Sequence, residues 1–282
     1  MGKLSDALAK VGSGNKLAED MPVCRSDHDA EQPVAENQHL LNLETFTTGA
    51  WDERLLLSCE QYSPFAENFR RLRGAILYPP KGARPKTILV TSLLPDEGKG
   101  FVCANLGVSL SREMEHHALM VDCDFRRPTL APMFGLSNDV GLVDHLRDGI
   151  DLENLIRQTG QPKLSLLPSG KPPENPSELL ASKRLIPFID NLAARYDDRI
   201  MLFDSPPGIV ASETNILAKR VDGVVLVIRW GKGDKDLVKK FVEEIGPNKI
   251  IGTVFNACEK RLVVPFLSQQ QGYGGYGYNL SD

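Results

Sequence analysis

Residues 86–110 read "KTILVTSLLPDEGKGFVCANLGVSL". An apolar, β-branched run, "KTILVTS", ends in a polar turn carrying Gly98 and Lys99, and helical spacing resumes from Lys99. A strand that enters a helix through a Gly-Lys turn is the layout of a phosphate-binding loop. Backbone N–H groups at the helix start converge there on anionic oxygens, and the lysine adds a point charge between the β- and γ-phosphates. Such loops carry Ser or Thr after the lysine, and its hydroxyl ligates Mg²⁺. This chain has Gly100 instead. A Gly-Lys pair alone is equally well a surface turn, so the surrounding sequence has to decide.

Outward from the loop, short apolar runs alternate with helical patterns. The runs are 86–92, 117–124, 163–169, 199–205, 223–229 and 249–256, and the helical patterns include 99–114, 141–148, 176–195, 211–220 and 234–245. Upstream, "SPFAENFRRLRGAILY" opens with Ser-Pro, a good helix start. Strands apolar on both faces and separated by helices predict an α/β fold, a parallel sheet with helices on both sides. In such sheets ligands sit beyond the strand C-termini. "ALMVDCDFRRP" puts Asp122 and Asp124 at the end of one strand, and "IMLFDSPP" puts Asp204 at the end of another. Each aspartate alone reads as a cap or turn. Together with the loop they bring a lysine and three carboxylates to one edge, a donor set suited to Mg²⁺ and phosphate.

The bulk properties set limits. The 282 residues carry a net charge of −4, so no global basic field points to nucleic acid. Five cysteines lie scattered without a CxxC pair, which reads as reduced thiols. No apolar stretch approaches the ~18 residues needed to span a bilayer. Residue 6 is Asp where a myristoylation pattern needs Ser or Thr. The expectation is a cytoplasmic protein, brought to the inner face of the membrane through a partner. Residues 1–58 read as a flexible arm, 59–264 as one folded domain, and 265–282 as a flexible Gly- and Gln-rich tail.

The order of phosphate loop, "VDCDFRRP" and "LFDSPP" resembles the bacterial tyrosine autokinases of capsule and exopolysaccharide synthesis, whose fold is similar to the deviant Walker ATPases. The resemblance covers roughly residues 60–278 and includes "GLVDHLRDG", "LPSGKPPENPSELLAS" and "IIGTVFNAC". It implies ATP and Mg²⁺ as cofactors, with Pro95, Asp96, Glu97, Gly98, Lys99, Gly100 and Phe101 forming the loop. It makes Lys99 the binder of the β- and γ-phosphates, Asp204 and Asp124 the metal carboxylates, and Asp122 the base for a tyrosine hydroxyl and a third acidic group at the metal. Arg126 completes a DxDxR pattern, and Asn256 is placed to read adenine. Glu67, Arg70 and Arg73 match the family's ExxRxxR oligomerisation pattern, implying a ring of subunits. Tyr273, Tyr276 and Tyr278, separated by glycines, are the implied phosphoacceptors of trans-phosphorylation. A separate membrane protein is the implied activator, and nucleic acid is not a partner.

Two other readings compete. A ParA- or MinD-like ATPase has a further lysine five residues before Gly98, where this chain has Leu93. A nucleotide-binding scaffold without transfer activity is raised by Gly100, since Phe101 cannot replace the lost oxygen and a loosened metal is costly in phosphoryl transfer. Asp96 is less disruptive, because Asp tolerates left-handed backbone better than most residues.

Overall fold

The computed structural model describes residues 51–59, 63–80, 82–211 and 213–258. The sheet strands are β1 (Thr87–Ser92), β2 (His117–Asp122), β3 (Arg157–Gln158), β4 (Leu164–Leu167), β5 (Arg199–Asp204), β6 (Gly223–Arg229) and β7 (Ile250–Asn256). Their spatial order is β3-β4-β2-β5-β1-β6-β7. All pairings are parallel except β3 with β4. The central strands are buried on both faces because their side chains alternate between two cores. Ile88, Val90, Met120, Leu202 and Val225 face one side, and Leu89, Leu119, Val121, Phe203 and Leu226 the other.

The helices are α1 (Glu53–Cys59), α2 (Pro64–Leu77), α3 (Lys99–Ser111), α4 (Leu130–Met133), α5 (Leu142–Asp148), α6 (Pro176–Leu180), α7 (Leu185–Arg195), α8 (Glu213–Arg220) and α9 (Lys235–Ile245). Helix α2 starts as its sequence predicts: Ser63 Oγ accepts from Phe65 N at 3.2 Å and Pro64 occupies the first turn. Helix α3 is apolar almost all round, and packs between the sheet and helices α1 and α2.

Three sequence expectations change. The helix expected over 176–195 is two helices, α6 and α7. Pro187 lacks an N–H and fits only the first turn of a helix, so α7 must begin at Leu185. The strand β3 and the four-residue α4 carry too short a periodicity to be read. The arm expected to reach residue 58 gives way earlier to folded chain. Trp51 and Leu55 are buried, the Trp51 indole meets Phe134 edge-on at 5.0 Å, and its Nε1 donates to Thr159 O at 2.8 Å. No helix among the described residues is long and apolar enough to cross a membrane.

Candidate functional site

The sheet register brings the acidic groups together. Asp122, last in β2, is the register partner of Asp204, last in β5, and Asp204 also pairs with Val90 in β1. Adjacent strands are ~4.8 Å apart, so two carboxylates end side by side beneath the loop that follows β1. That loop is held by its own residues. Asp96 adopts φ 61° and Gly98 φ 90°, both left-handed. Glu97 is buried, with Oε2 accepting from Leu94 N at 2.8 Å and Oε1 from Arg229 N at 3.2 Å. Asn256 Nδ2 donates to Glu97 O at 2.9 Å, and Arg229 Nη1 to Asp96 O at 3.2 Å. Helix α3 then opens at Lys99 with no side-chain cap from Gly98, which leaves the helix start able to receive an anion.

Lys99 Nζ lies 2.7 Å from Asp124 Oδ2, both side chains nearly buried. Burial alone would lower the Lys99 pKa, but Asp204, Asp124 and Asp122 together hold the ammonium above its ordinary range. Burial pushes the Asp204 carboxyl up to about 7, with Lys99 pulling it back and Asp124 adding to the rise. Asp122 is raised by burial and by Asp204, against the Leu130 N–H. Its Oδ1 accepts from Asp124 N at 3.1 Å, and its Oδ2 from Thr129 N at 3.2 Å and Leu130 N at 3.1 Å.

The cleft above has a volume of about 860 Å³, within the range of small-molecule sites. Pro95, Asp96, Gly98, Lys99, Gly100, Phe101, Asp124, Arg126 and Asn256 line it. Glu97, Asp122 and Asp204 lie under its floor with at most 2% exposure. Arg126 Nη2 donates to Ser177 Oγ at 2.6 Å.

The donors suit a hard cation. Three carboxylates face one ammonium, and both Asp204 oxygens are buried without a hydrogen-bond partner. Among the described residues no three His, Cys, Asp or Glu side chains converge as a cage. The sequence grouped Asp122 with the metal carboxylates, but both of its oxygens are turned to loop N–H groups. The set fits Mg²⁺ held by Asp204 and Asp124 together with phosphate oxygens and water.

Other predicted residues fall elsewhere. Glu67 Oε2 pairs with Arg70 Nε at 2.7 Å on the α2 surface. Arg73 turns inward, donating from Nη1 to Ser109 O at 2.7 Å and lying 3.7 Å from Glu113. Tyr273, Tyr276 and Tyr278 lie outside the described residues. Sequence reasoning missed Arg54, Arg127, Thr129 and Arg229 on the cleft wall. Arg127 and Thr129 directly follow the DxDxR pattern, and Arg229 ends an apolar strand, so both signals were present. Arg54 had none.

This fold and edge define a P-loop nucleotide-binding domain. Tyrosine-protein kinase YwqD of Bacillus subtilis is 33% identical over 214 residues, spanning 75% of this chain and 86% of YwqD. Putative tyrosine-protein kinase EpsB of Ralstonia nicotianae is 30% identical over 217 residues, and this chain spans 28% of EpsB. Among solved structures, the chimerical protein CapA2B2 matches with a TM-score of 0.67 and 32% identity, covering 77% of this chain and 96% of that one. No protein-family model matches. The chain belongs to the family of bacterial tyrosine-protein kinases.

Proposed function

We propose that this kinase uses ATP and Mg²⁺ to phosphorylate Tyr273, Tyr276 and Tyr278 on a neighbouring copy, in machinery that regulates the length and export of capsule or exopolysaccharide chains. The observation that carries the reading is the unpartnered Asp204 carboxylate beneath the loop that carries Gly98 and Lys99. The loop N–H groups bind the phosphates, and Lys99 leaves Asp124 to meet them. Mg²⁺, when bound, would supply positive charge to offset that of the phosphate oxygens. Asp204 and Asp124 hold it, and Arg126 approaches the phosphates from the facing wall. Asp122 takes the tyrosine proton. Its raised pKa narrows the gap to a phenol near ~10. Asn256 reads adenine with the amide hydrogen and oxygen not committed to Glu97 O. A ring contact through α2 rests on Glu67 and Arg70, since Arg73 is engaged within the chain. A separate membrane protein recruits and activates the kinase at the inner face of the membrane.

The test is purified full-length chain with ATP and Mg²⁺, read by phosphotyrosine on the tail. Lys99→Met and the triple Tyr273→Phe, Tyr276→Phe, Tyr278→Phe variant are each expected to remove the signal. Gly100 favours a second reading, a scaffold that binds nucleotide without transfer. Nucleotide binding with no phosphotyrosine, activator present or not, would select the scaffold.

A further inference from the structure

Gly100 removes a hydroxyl from the loop, and the structure shows what stands in its place. A Cβ on Gly100 would lie 2.2 Å from Thr129 Oγ1, 3.4 Å from Thr129 Cβ and 3.2 Å from Asp204 Oδ2. A Ser side chain at 100 would therefore start within the van der Waals envelope of another hydroxyl. That hydroxyl and the nearer Asp204 oxygen both lie within 3.2 Å of one point. Asp204 offers two buried oxygens that no donor satisfies.

We propose that Thr129 supplies the cation-facing hydroxyl that Gly100 lacks, a ligand moved from the start of α3 to the loop after β2. The inference rests on the Mg²⁺–ATP reading above and deepens it. Thr129 is suited to the task by its setting. Its N–H and that of Leu130 both donate to Asp122 Oδ2, which fixes the backbone next to the carboxylates. It stands at the N-cap of α4, where a Thr hydroxyl ordinarily accepts from the helix, yet it makes no such capping bond. Its side chain opens onto the cleft. An alcohol oxygen is a neutral, hard donor, the same chemistry that Ser or Thr brings at the helix start. Glycine at 100 then has a positive cause: only the absence of a side chain lets the Thr129 hydroxyl into this position.

Two readouts besides activity test this, each on the full chain. The first is ADP affinity by calorimetry with and without Mg²⁺. Thr129→Val keeps the side-chain shape and removes the oxygen. It is expected to cut the Mg²⁺-dependent gain in ADP affinity about 10-fold and leave Mg²⁺-free ADP binding unchanged. Thr129→Ser is expected to retain the gain. The second is the count of water molecules on Mn²⁺ bound with ADP, read by electron spin-echo spectroscopy in D₂O. It should rise by one in Thr129→Val. Gly100→Ser alone should bring no gain, since its hydroxyl meets that of Thr129. Gly100→Ser with Thr129→Ala should return the Mg²⁺ increment. Unchanged affinity and water count in Thr129→Val would overturn the assignment while Mg²⁺-dependent ADP binding persists. So would a gain from Gly100→Ser that is indifferent to residue 129. A parent chain whose ADP binding ignores Mg²⁺ would overturn both this inference and the reading under it.

Discussion

Asp204→Asn should make the metal-free protein more stable while removing its grip on Mg²⁺. Asp204 is fully buried and both oxygens lack partners, and burial raises its carboxyl from 3.8 to about 7. In the unfolded chain the same group ionises near its ordinary value. Between about pH 4 and about pH 7 the unfolded state therefore sheds a proton that the native state keeps, and stability falls as pH rises. At about 1.4 kcal/mol per unit, the full loss is roughly 4 kcal/mol, complete above the native pKa. The amide introduced by Asp204→Asn would be buried in the same place, and an unsatisfied amide costs about 1–3 kcal/mol. The net expectation is a gain of about 1–3 kcal/mol near pH 8 and a loss of about 1–3 kcal/mol near pH 4. Urea unfolding in EDTA at about pH 4, 6 and 8, for parent and variant, reads this directly. Calorimetry with Mg²⁺ and ADP reads the lost affinity in the same preparations. A variant no more stable than the parent at about pH 8, with the same pH slope, would refute the claim that this carboxylate is held against its own solvation.

Other substitutions probe other parts of the structure. Trp51→Ala should cost about 3–5 kcal/mol in chemical denaturation, because the indole is core and donates to Thr159 O. Gly98→Ala combines a left-handed φ of 90° with a Cβ 2.0 Å from Asn256 Nδ2. It should break the Asn256–Glu97 bond, cost about 1–3 kcal/mol and weaken ADP binding in calorimetry. Asp222 Oδ2 accepts from Lys86 N, Thr87 N and Thr87 Oγ1, each at 2.9 Å. Burial opposes its charge, but these donors and Lys249 hold its pKa below the ordinary 3.8, so its contribution is present above that value and lost as pH falls further. Asp222→Asn should cost about 1 kcal/mol at neutral pH, after allowance for its solvent exposure, and progressively less toward about pH 3.

The legible parts of this protein are those written locally. "TILVTS", "HALMVD" and "RIMLFD" are apolar runs that end in polar residues, so sheet, strand ends and acidic edge can be read one segment at a time. The loop Gly98-Lys99 and its helix follow from the same kind of pattern. Contacts between distant segments cannot be read this way. Trp51 sits in a polar stretch, and its partner Thr159 is 108 residues away. The apolar period runs on across 176–195, but steric exclusion of the Pro187 ring from a helix interior decides the break. Gly100 reads as a missing ligand from the sequence because the sequence shows no neighbour for it. Its space is filled by Thr129, a residue of another strand's loop. Arg73 shares a helical stripe with Glu67 and Arg70, yet the position of α3 turns it inward.

The Lys99–Asp124 pair makes nucleotide capture an exchange reaction. A phosphate arriving at Lys99 displaces an internal anion, so the energy gained is the difference between two ion pairs and not the whole of one. The displaced Asp124 is then left buried with a negative charge and no counterion, a state that favours uptake of a cation. Phosphate and metal ion each remove the obstacle to the other, and the protein with the pair closed disfavours either one arriving alone.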